Sequence, residues 1–299
     1  MYRKIIVGHD LHSGGADALA LGRQLAKASD AQLVVAGIFP IGALPAGFES
    51  SWIDEQEKVA KEIQSIADEA GAEAEAFPSR SPGLGLHALA EEIDADLVVV
   101  GSSRHSTAGQ ILAGNVGLGL LHGAPCAVAI APRGYADNPT GISTIVAGVD
   151  GGQDSRVALE AATDLADVSG ATLKLVAVAQ DPPIVYGKGG GGMGGINELK
   201  EAIEEQARKD LDEASESTGD VPSEATVLSG DPAEKLAEAA SPGSIVVVGS
   251  RGYGPVRRVL LGSVSTELMR SAPCPVLVHP RGAENAPHTD GSLDARTVA

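Results

Sequence analysis

The sequence has little positive charge, few cysteines and no long apolar run, and each shortage excludes a class of protein. Its 22 lysines and arginines stand against 40 aspartates and glutamates, a formal net charge of −18, which argues against binding to a nucleic-acid backbone. No apolar run approaches the roughly 18 residues that a membrane span needs. Residues 1–4 lead directly into an apolar strand with no signal-peptide pattern. We therefore expect a cytoplasmic protein that binds neither nucleic acid nor membranes.

The chain is a tandem repeat. DLVVVGSSR (96–104) matches SIVVVGSRG (244–252), and GAPCAV (123–128) matches SAPCPV (271–276), both displaced by 148 residues. Near the start of each repeat the displacement falls to 140, so the second copy carries a net insertion of eight residues. The glycine run at 187–195 is the obvious place for it, and so dense a run predicts a mobile loop.

Each repeat alternates apolar strands with amphipathic helices, which predicts parallel sheets covered on both faces. The fold class is α/β, with two tandem Rossmann-like domains, each a five-stranded parallel sheet. We place the domains at 1–138 (the first repeat) and 139–282 (the second repeat), followed by a disordered tail at 283–299. In the second repeat we predict strands over 144–149, 172–178, 224–228, 245–248 and 275–278, and helices over 155–169, 197–216, 232–240 and after Gly262.

The two cysteines, Cys126 and Cys274, occupy equivalent apolar strands. We interpret them as small core residues rather than a disulfide or a metal site.

The run GSRGYGPVRRVLLGS, residues 249–263, follows an apolar strand and leads into a helix. Its glycines let backbone amides approach an anion without a Cβ in the way, and the helix N-terminus adds unpaired donors. The pattern predicts a phosphate cradle, the alternative being a glycine-rich connector without a ligand. Arg251, Arg257 and Arg258 either offset phosphate charge or are solvated. Asp150, Val178 and Gly249 each end a strand, so we expect them to face one crevice.

With these motifs the chain resembles the ATP-binding, tandem-domain members of the universal stress protein family over residues 1–282. The resemblance implies that Asp150 hydrogen-bonds the ribose or adenine side and that the Val178 backbone meets the adenine edge. It implies that Gly249 and Gly252 lie along the ribose and phosphates. The residues implied to wrap the phosphate tail are Gly262, Ser263, Val264 and Ser265. The implied ligand is ATP, with or without Mg²⁺.

The first repeat departs from this motif. Its matching positions are Asp10, Ile38, Gly101, Arg104, Gly114 and Asn115. Arg104 replaces the second glycine; it brings a Cβ to a close approach but also a guanidinium that can pair with phosphate. Asn115 replaces the serine and remains a competent N-cap. We predict a degenerate first site, weaker than the second or differently occupied.

Three functions stay open. The favoured one is an ATP-binding sensor or switch in a stress response with at most slow hydrolysis, because neither repeat contains a Ser-His-Asp set, a metal-ligand cluster or a P-loop lysine. A second is an ATP-using adenylating enzyme, because SGGADA (13–18) and DGGQDS (150–155) resemble an SGGxDS pyrophosphate loop. A third is a scaffold that no longer binds nucleotide and acts through an unknown protein partner.

Both repeats end in an apolar strand that would be an unprotected edge if left alone. By resemblance to the family, we expect these strands to pair within the chain as a pseudo-twofold dimer, with further homodimerisation possible. We expect Ala131 and His279 to be close enough there for a cysteine cross-link.

Overall fold

The computed structural model describes residues 1–40, 49–102, 111, 115–121, 123–181, 193–250 and 262–280. The strands are β1 (Lys4–Gly8), β2 (Gln32–Pro40), β3 (Glu73–Ser79), β4 (Leu97–Gly101), β5 (Ala127–Ala131), β6 (Thr144–Val149), β7 (Thr172–Ala179), β8 (Ser223–Ser229), β9 (Ser244–Gly249) and β10 (Val276–His279). The helices are α1 (Ser13–Ser29), α2 (Glu49–Ala70), α3 (Pro82–Glu92), α4 (Asn115–Leu121), α5 (Gln153–Ser169), α6 (Met193–Ser217), α7 (Pro232–Ala239) and α8 (Ser263–Ser271).

Each repeat forms the predicted parallel sheet, and the two sheets join into one of ten strands. Their order is β3-β2-β1-β4-β5-β10-β9-β6-β7-β8. Within each repeat all strands run parallel, and the direction of strand succession reverses between β1 and β4 and again between β6 and β9. Ligands of open parallel sheets bind outside the carboxyl ends of the strands at such a reversal.

The joint between the repeats is an antiparallel pairing of their last strands, β5 and β10. Leu277 stands opposite Ala129, which is its own equivalent in the other repeat, so the pseudo-twofold axis passes through this pair. Ala131 and His279 are displaced from the axis in opposite directions, beyond the two ends of the ladder. The expected cross-link between them is therefore wrong, because an antiparallel register separates equivalent residues that lie off the axis.

Helices cover both faces of the sheet because its strands are apolar on both sides. One buried cluster unites side chains of α1, α5 and α6, and it spans both repeats. The opposite cluster unites α3, α4, α7 and α8 and contains both cysteines. Burial raises the pKa of Cys126 and of Cys274 to about 12, which keeps both thiols protonated and fits their interpretation as core residues.

The glycine run at 187–195 and the C-terminal tail at 283–299 were expected to be mobile and disordered, respectively. Helix α6 begins at Met193, so the last residues of the glycine run 187–195 are helical, and the predicted mobile loop is wrong for them. Residues 193–195 can be helical despite their glycines, because a turn added to an already formed helix costs less than a new nucleus. Residues 182–192 and the expected disordered tail at 283–299 lie outside the described residues.

Asp17 of α1 fastens the segment that links the two repeats. Its two carboxylate oxygens accept hydrogen bonds from the backbone amides of Gly134 (2.9 Å) and Ala136 (2.8 Å). The Tyr135 hydroxyl between them donates to Gln24 of α1 at 2.7 Å. Burial raises the pKa of the Asp17 carboxyl above its ordinary value, against the opposing effect of the backbone amides. Within the described ranges, no helix is long and apolar enough to span a membrane.

Candidate functional site

A cleft of about 510 Å³ opens at the carboxyl ends of β6, β7 and β9 in the second repeat. This is the reversal point of strand succession, and the volume lies in the usual range of small-molecule sites. Its walls come from the loop after β6, the end of β7, the end of β9 and the first turn of α8, with α6 and α7 closing the sides. The lining residues are Gly148, Val149, Asp150, Gly152, Asp154, Ser155, Val176, Val178, Gln180, Ile203, Pro232, Leu236, Val248, Gly249, Gly262, Val264 and Ser265.

The loop after β6 holds the Asp150 carboxylate at the mouth of this cleft. Its Oδ1 accepts a hydrogen bond from the Gly152 amide at 2.9 Å, a local turn that aspartate favours. Ser155 closes the turn, since its hydroxyl donates to the Gly152 carbonyl (3.1 Å) and accepts from the Asp150 amide (3.3 Å). Gly151 has φ of +71°, which glycine adopts at little cost. Asp150 is thus an exposed acceptor held in place by its own loop.

Gly249 packs the first turn of α5 against the end of β9. A Cβ at this position would stand 2.4 Å from the carbonyl oxygen of Asp154. Gly101 in the first repeat has the same role, with an added Cβ 2.0 Å from the carbonyl oxygen of Gly14. The contact with α5 gives Gly249 a packing role, and its predicted approach to a ligand stays a prediction. This contact brings the start of α5 to the cleft.

Helix α8 begins at the cleft floor with Gly262 as its N-cap. The hydroxyls of Ser265 (3.1 Å) and Thr266 (2.7 Å) both donate to the Gly262 carbonyl, so they brace the first turn. Ser265 is buried at 2% exposure, whereas Ser263 is exposed and lines a neighbouring groove between α7 and α8. The first amides of a helix have no partner within the helix, and they make this end of the cleft suited to an anion.

The opposite end of the cleft is apolar. The ladder between β6 and β7 ends at the pair Val149 and Ala177. The next residue of β7, Val178, therefore extends beyond the end of β6. Ile203 of α6 and Leu236 of α7 add apolar surface. A flat heterocycle could pack between such side chains, with the strand end and the Gln180 side chain as polar partners.

The first repeat brings Asp10, Ile38 and Gly101 to the ends of β1, β2 and β4. Asp10 Oδ1 accepts hydrogen bonds from two backbone amides, those of His12 (3.0 Å) and Gly15 (2.8 Å). In the second repeat, the equivalent Asp150 Oδ1 accepts a hydrogen bond from the Gly152 amide. Leu11 has φ of +59° at the position of Gly151. A leucine there is strained, because bulky residues rarely adopt positive φ. The two loops share a backbone path but differ in side chains.

Several assigned residues lie outside the described part of the chain, namely Gly252, Arg104, Gly114 and the three arginines of the 249–263 run. Asn115 is the first residue of α4 and therefore lies one position inside the helix, not at the N-cap that the sequence predicted. Sequence reasoning missed Gln180, Ile203, Pro232 and Leu236. Two signals were available in the sequence. Gln180 lies two residues beyond Val178, and the spacing of apolar residues in α7 marks the face that carries Leu236.

The described lining of the cleft is acidic. Asp150 and Asp154 both border it, and among the described lining residues none is a lysine, arginine or histidine. The described residues contain no group of three or more histidines, cysteines, aspartates or glutamates arranged to hold a metal ion.

Comparisons with known proteins agree with this architecture. Universal stress proteins of Mycobacterium bovis and Mycobacterium tuberculosis are 32% identical over 190 residues, 62% of this chain and 62% of theirs, so the match spans less than two thirds of those relatives. Another from M. tuberculosis is 27% identical over 298 residues, 92% of this chain and 99% of its own. A crystal structure of a universal stress protein from Archaeoglobus fulgidus has a TM-score of 0.64 at 22% identity, covering 93% of this chain and 98% of that one. The profile of the universal stress protein family matches residues 1–132 and 141–280, and the chain belongs to that family.

Proposed function

We propose that the cleft of the second repeat binds an adenine nucleotide, ATP in particular, and that the protein acts as a nucleotide-dependent sensor or switch with at most slow hydrolysis. One observation carries the proposal. A single cleft joins a carboxylate acceptor after β6, an apolar pocket at the end of β7 and the N-terminus of α8. A nucleotide needs these three environments for its sugar, base and phosphates.

The ligand would lie with its base between the Val178 end of β7 and the side chains of Ile203 and Leu236. The Asp150 carboxylate would accept from a ribose hydroxyl, and the first turn of α8 would meet the phosphates. Gly252 and the arginines of the 249–263 run are proposed to complete the phosphate end. Mg²⁺ prefers oxygen ligands and commonly combines one or two carboxylates with phosphates. Asp154, which also lines the cleft, fits that donor set.

The slow turnover follows from the same residues. Phosphoryl transfer depends on a placed nucleophile as well as on placed charges, and the described lining residues include no histidine that could act as a general base. An acidic wall also repels an attacking hydroxide. The first repeat is proposed to bind more weakly, because its loop presents Leu11 in strained backbone and its motif carries Arg104 and Asn115.

The geometry disfavours the adenylating-enzyme alternative. A pyrophosphate loop must turn its backbone amides toward the anion, whereas the Gly152 amide is already bound to the Asp150 carboxylate. That carboxylate would repel a pyrophosphate placed there. This reading would predict substrate-dependent release of AMP and pyrophosphate, which the sensor would not produce.

Nucleotide extraction and calorimetry test the proposal together. Heat-extracted protein should release ATP or ADP on chromatography, and ATP should bind the stripped chain. Asp150→Ala should weaken that binding by about 1–3 kcal/mol, since a desolvated acceptor is lost. Asp220→Ala removes an exposed carboxylate on the turn after α6 and serves as the control, with wild-type affinity expected. A clean extract together with no measurable ATP binding would favour the scaffold instead.

A further inference from the structure

One residue of the first repeat reaches across the joint to the helix that borders the second cleft. Ile111 lies between Gly101 and Gly114, in the stretch that matches the glycine loop of the second repeat. Its backbone amide donates a hydrogen bond of 2.9 Å to the carbonyl oxygen of Ala272, and its side chain is fully buried. Contacts of this kind fix the position of the group that accepts them.

Ala272 is the C-cap of α8. The last carbonyls of a helix have no partner within the helix and must find one elsewhere when buried. Ala272 is fully buried, and the amide of Ile111 supplies that partner from the other repeat. The first repeat therefore supplies the hydrogen-bond donor for the C-terminal carbonyl of a helix that belongs to the second repeat.

Helix α8 carries this contact to the cleft. It has nine residues, so it is about 13 Å long, with Gly262 and Ser265 at the cleft and Ala272 at the far end. Leu268 and Met269 in its last turns are fully buried in the same cluster as Ile111. A short, well-packed helix moves as a unit, so a shift at its C-terminus displaces its first turn.

We propose that Ile111 is a positioning residue for the second cleft: from the first repeat, it sets the placement of α8 and thereby the affinity of the first-turn amides for phosphate. The affinity part of the inference rests on the proposed nucleotide function, whereas the placement part does not. Ile111 itself touches no ligand in this scheme. It acts through the Ala272 carbonyl and the shared apolar cluster.

The test compares Ile111→Ala with Ile111→Val and with Leu89→Ala in the full chain. Leu89 is a matched control, because it is a buried residue of the first repeat in the same cluster but lies on α3. Amide resonances of Ser263, Val264 and Ser265 report on the first turn of α8, and following them during an ATP titration gives the affinity of the second cleft alone.

In Ile111→Ala these three amides should shift before any ligand is added, and ATP should bind about fivefold more weakly. Ile111→Val, which keeps most of the side chain, should restore both readouts. Ile111→Ala keeps the backbone amide but removes the buried side chain that anchors this amide beside Ala272. Leu89→Ala should lower the melting temperature while leaving the α8 amides and the affinity unchanged, because Leu89 lies on α3.

Unchanged α8 amides in Ile111→Ala would overturn the inference, and so would equal changes in Leu89→Ala. If wild-type protein binds no ATP, the proposed function fails, and the amide shifts in the free protein still decide whether Ile111 positions α8. If ATP binds wild type and Ile111→Ala equally, the affinity part of the inference is overturned while the proposed function stands.

Discussion

Replacing Gly249 by alanine tests the packing contact that brings α5 to the cleft. The new Cβ would stand 2.4 Å from the Asp154 carbonyl oxygen and 2.6 Å from its carbonyl carbon, whereas real Cβ atoms essentially never come within 3.0 Å of such neighbours. The clash involves backbone on both sides, so no side chain can rotate away, and the first turn of α5 must shift by several tenths of an ångström.

Overpacking of this kind costs about 2 kcal/mol. In a domain of this size the loss corresponds to a fall in melting temperature of about 4–8 °C. The shift also displaces Asp154 and the Asp150 loop, so ATP affinity should fall together with stability. Calorimetric melting of the nucleotide-free protein measures the first effect, and ATP titration of the same sample measures the second.

Gly119→Ala is the matched control. Gly119 lies in α4, where an added Cβ meets no atom within 4 Å, so alanine there should be neutral or stabilising by about 0.5–1 kcal/mol. Gly101→Ala should destabilise at least as much as Gly249→Ala, because its Cβ would stand 2.0 Å from the Gly14 carbonyl oxygen. A Gly249→Ala protein that melts with the wild type would refute the reasoning.

Two further predictions concern the link and the joint between the repeats. Asp17→Asn should destabilise the chain by about 1–3 kcal/mol, because an amide offers one acceptor oxygen where the Gly134 and Ala136 amides need two. The raised pKa of Asp17 means that its contribution is complete below the ordinary carboxyl pKa and is lost as pH rises through the folded-state value. The stability gap between wild type and Asp17→Asn, measured by urea unfolding, should therefore widen as the pH falls from neutral towards the ordinary carboxyl pKa; a gap that narrows contradicts the assignment. In a background lacking Cys126 and Cys274, Ala129→Cys with Leu277→Cys should form an intramolecular disulfide, since directly opposed residues have Cα atoms about 4.5–5.5 Å apart. A cross-link only between chains would contradict the intramolecular joint.

The sequence predicts the alternation of strands and helices closely, because buried parallel strands are runs of valine, isoleucine and leucine with little ambiguity. The predicted strand at 144–149 agrees with β6, and the helix predicted over 155–169 begins two residues earlier, at Gln153. The resemblance to the family also implies which strands meet at the joint. It does not give their register, which depends on where the pseudo-twofold axis crosses, and so Ala131 and His279 were wrongly paired.

The lining residues that end strands could be predicted from the sequence. Those that helices contribute to the wall were harder to predict. Asp150, Val178 and Gly249 line one cleft, as the carboxyl ends of neighbouring parallel strands require. Ile203 and Leu236 reach it through the packing of α6 and α7, which periodicity alone does not orient about a site. The packing role of Gly249 was not predicted for a related reason, since a glycine pattern does not tell whether a helix fills the space of the missing side chain.

The central claim is that the second cleft binds ATP, and a residue-resolved titration of the full chain tests it most directly. With increasing ATP, the amides of Val178, Gly249 and Ser265 should shift saturably and together. Those of Ile38 and Gly101 in the first repeat should respond only at higher concentration. Saturation confined to the first repeat, or no saturable shift at Val178, Gly249 and Ser265, would contradict the account.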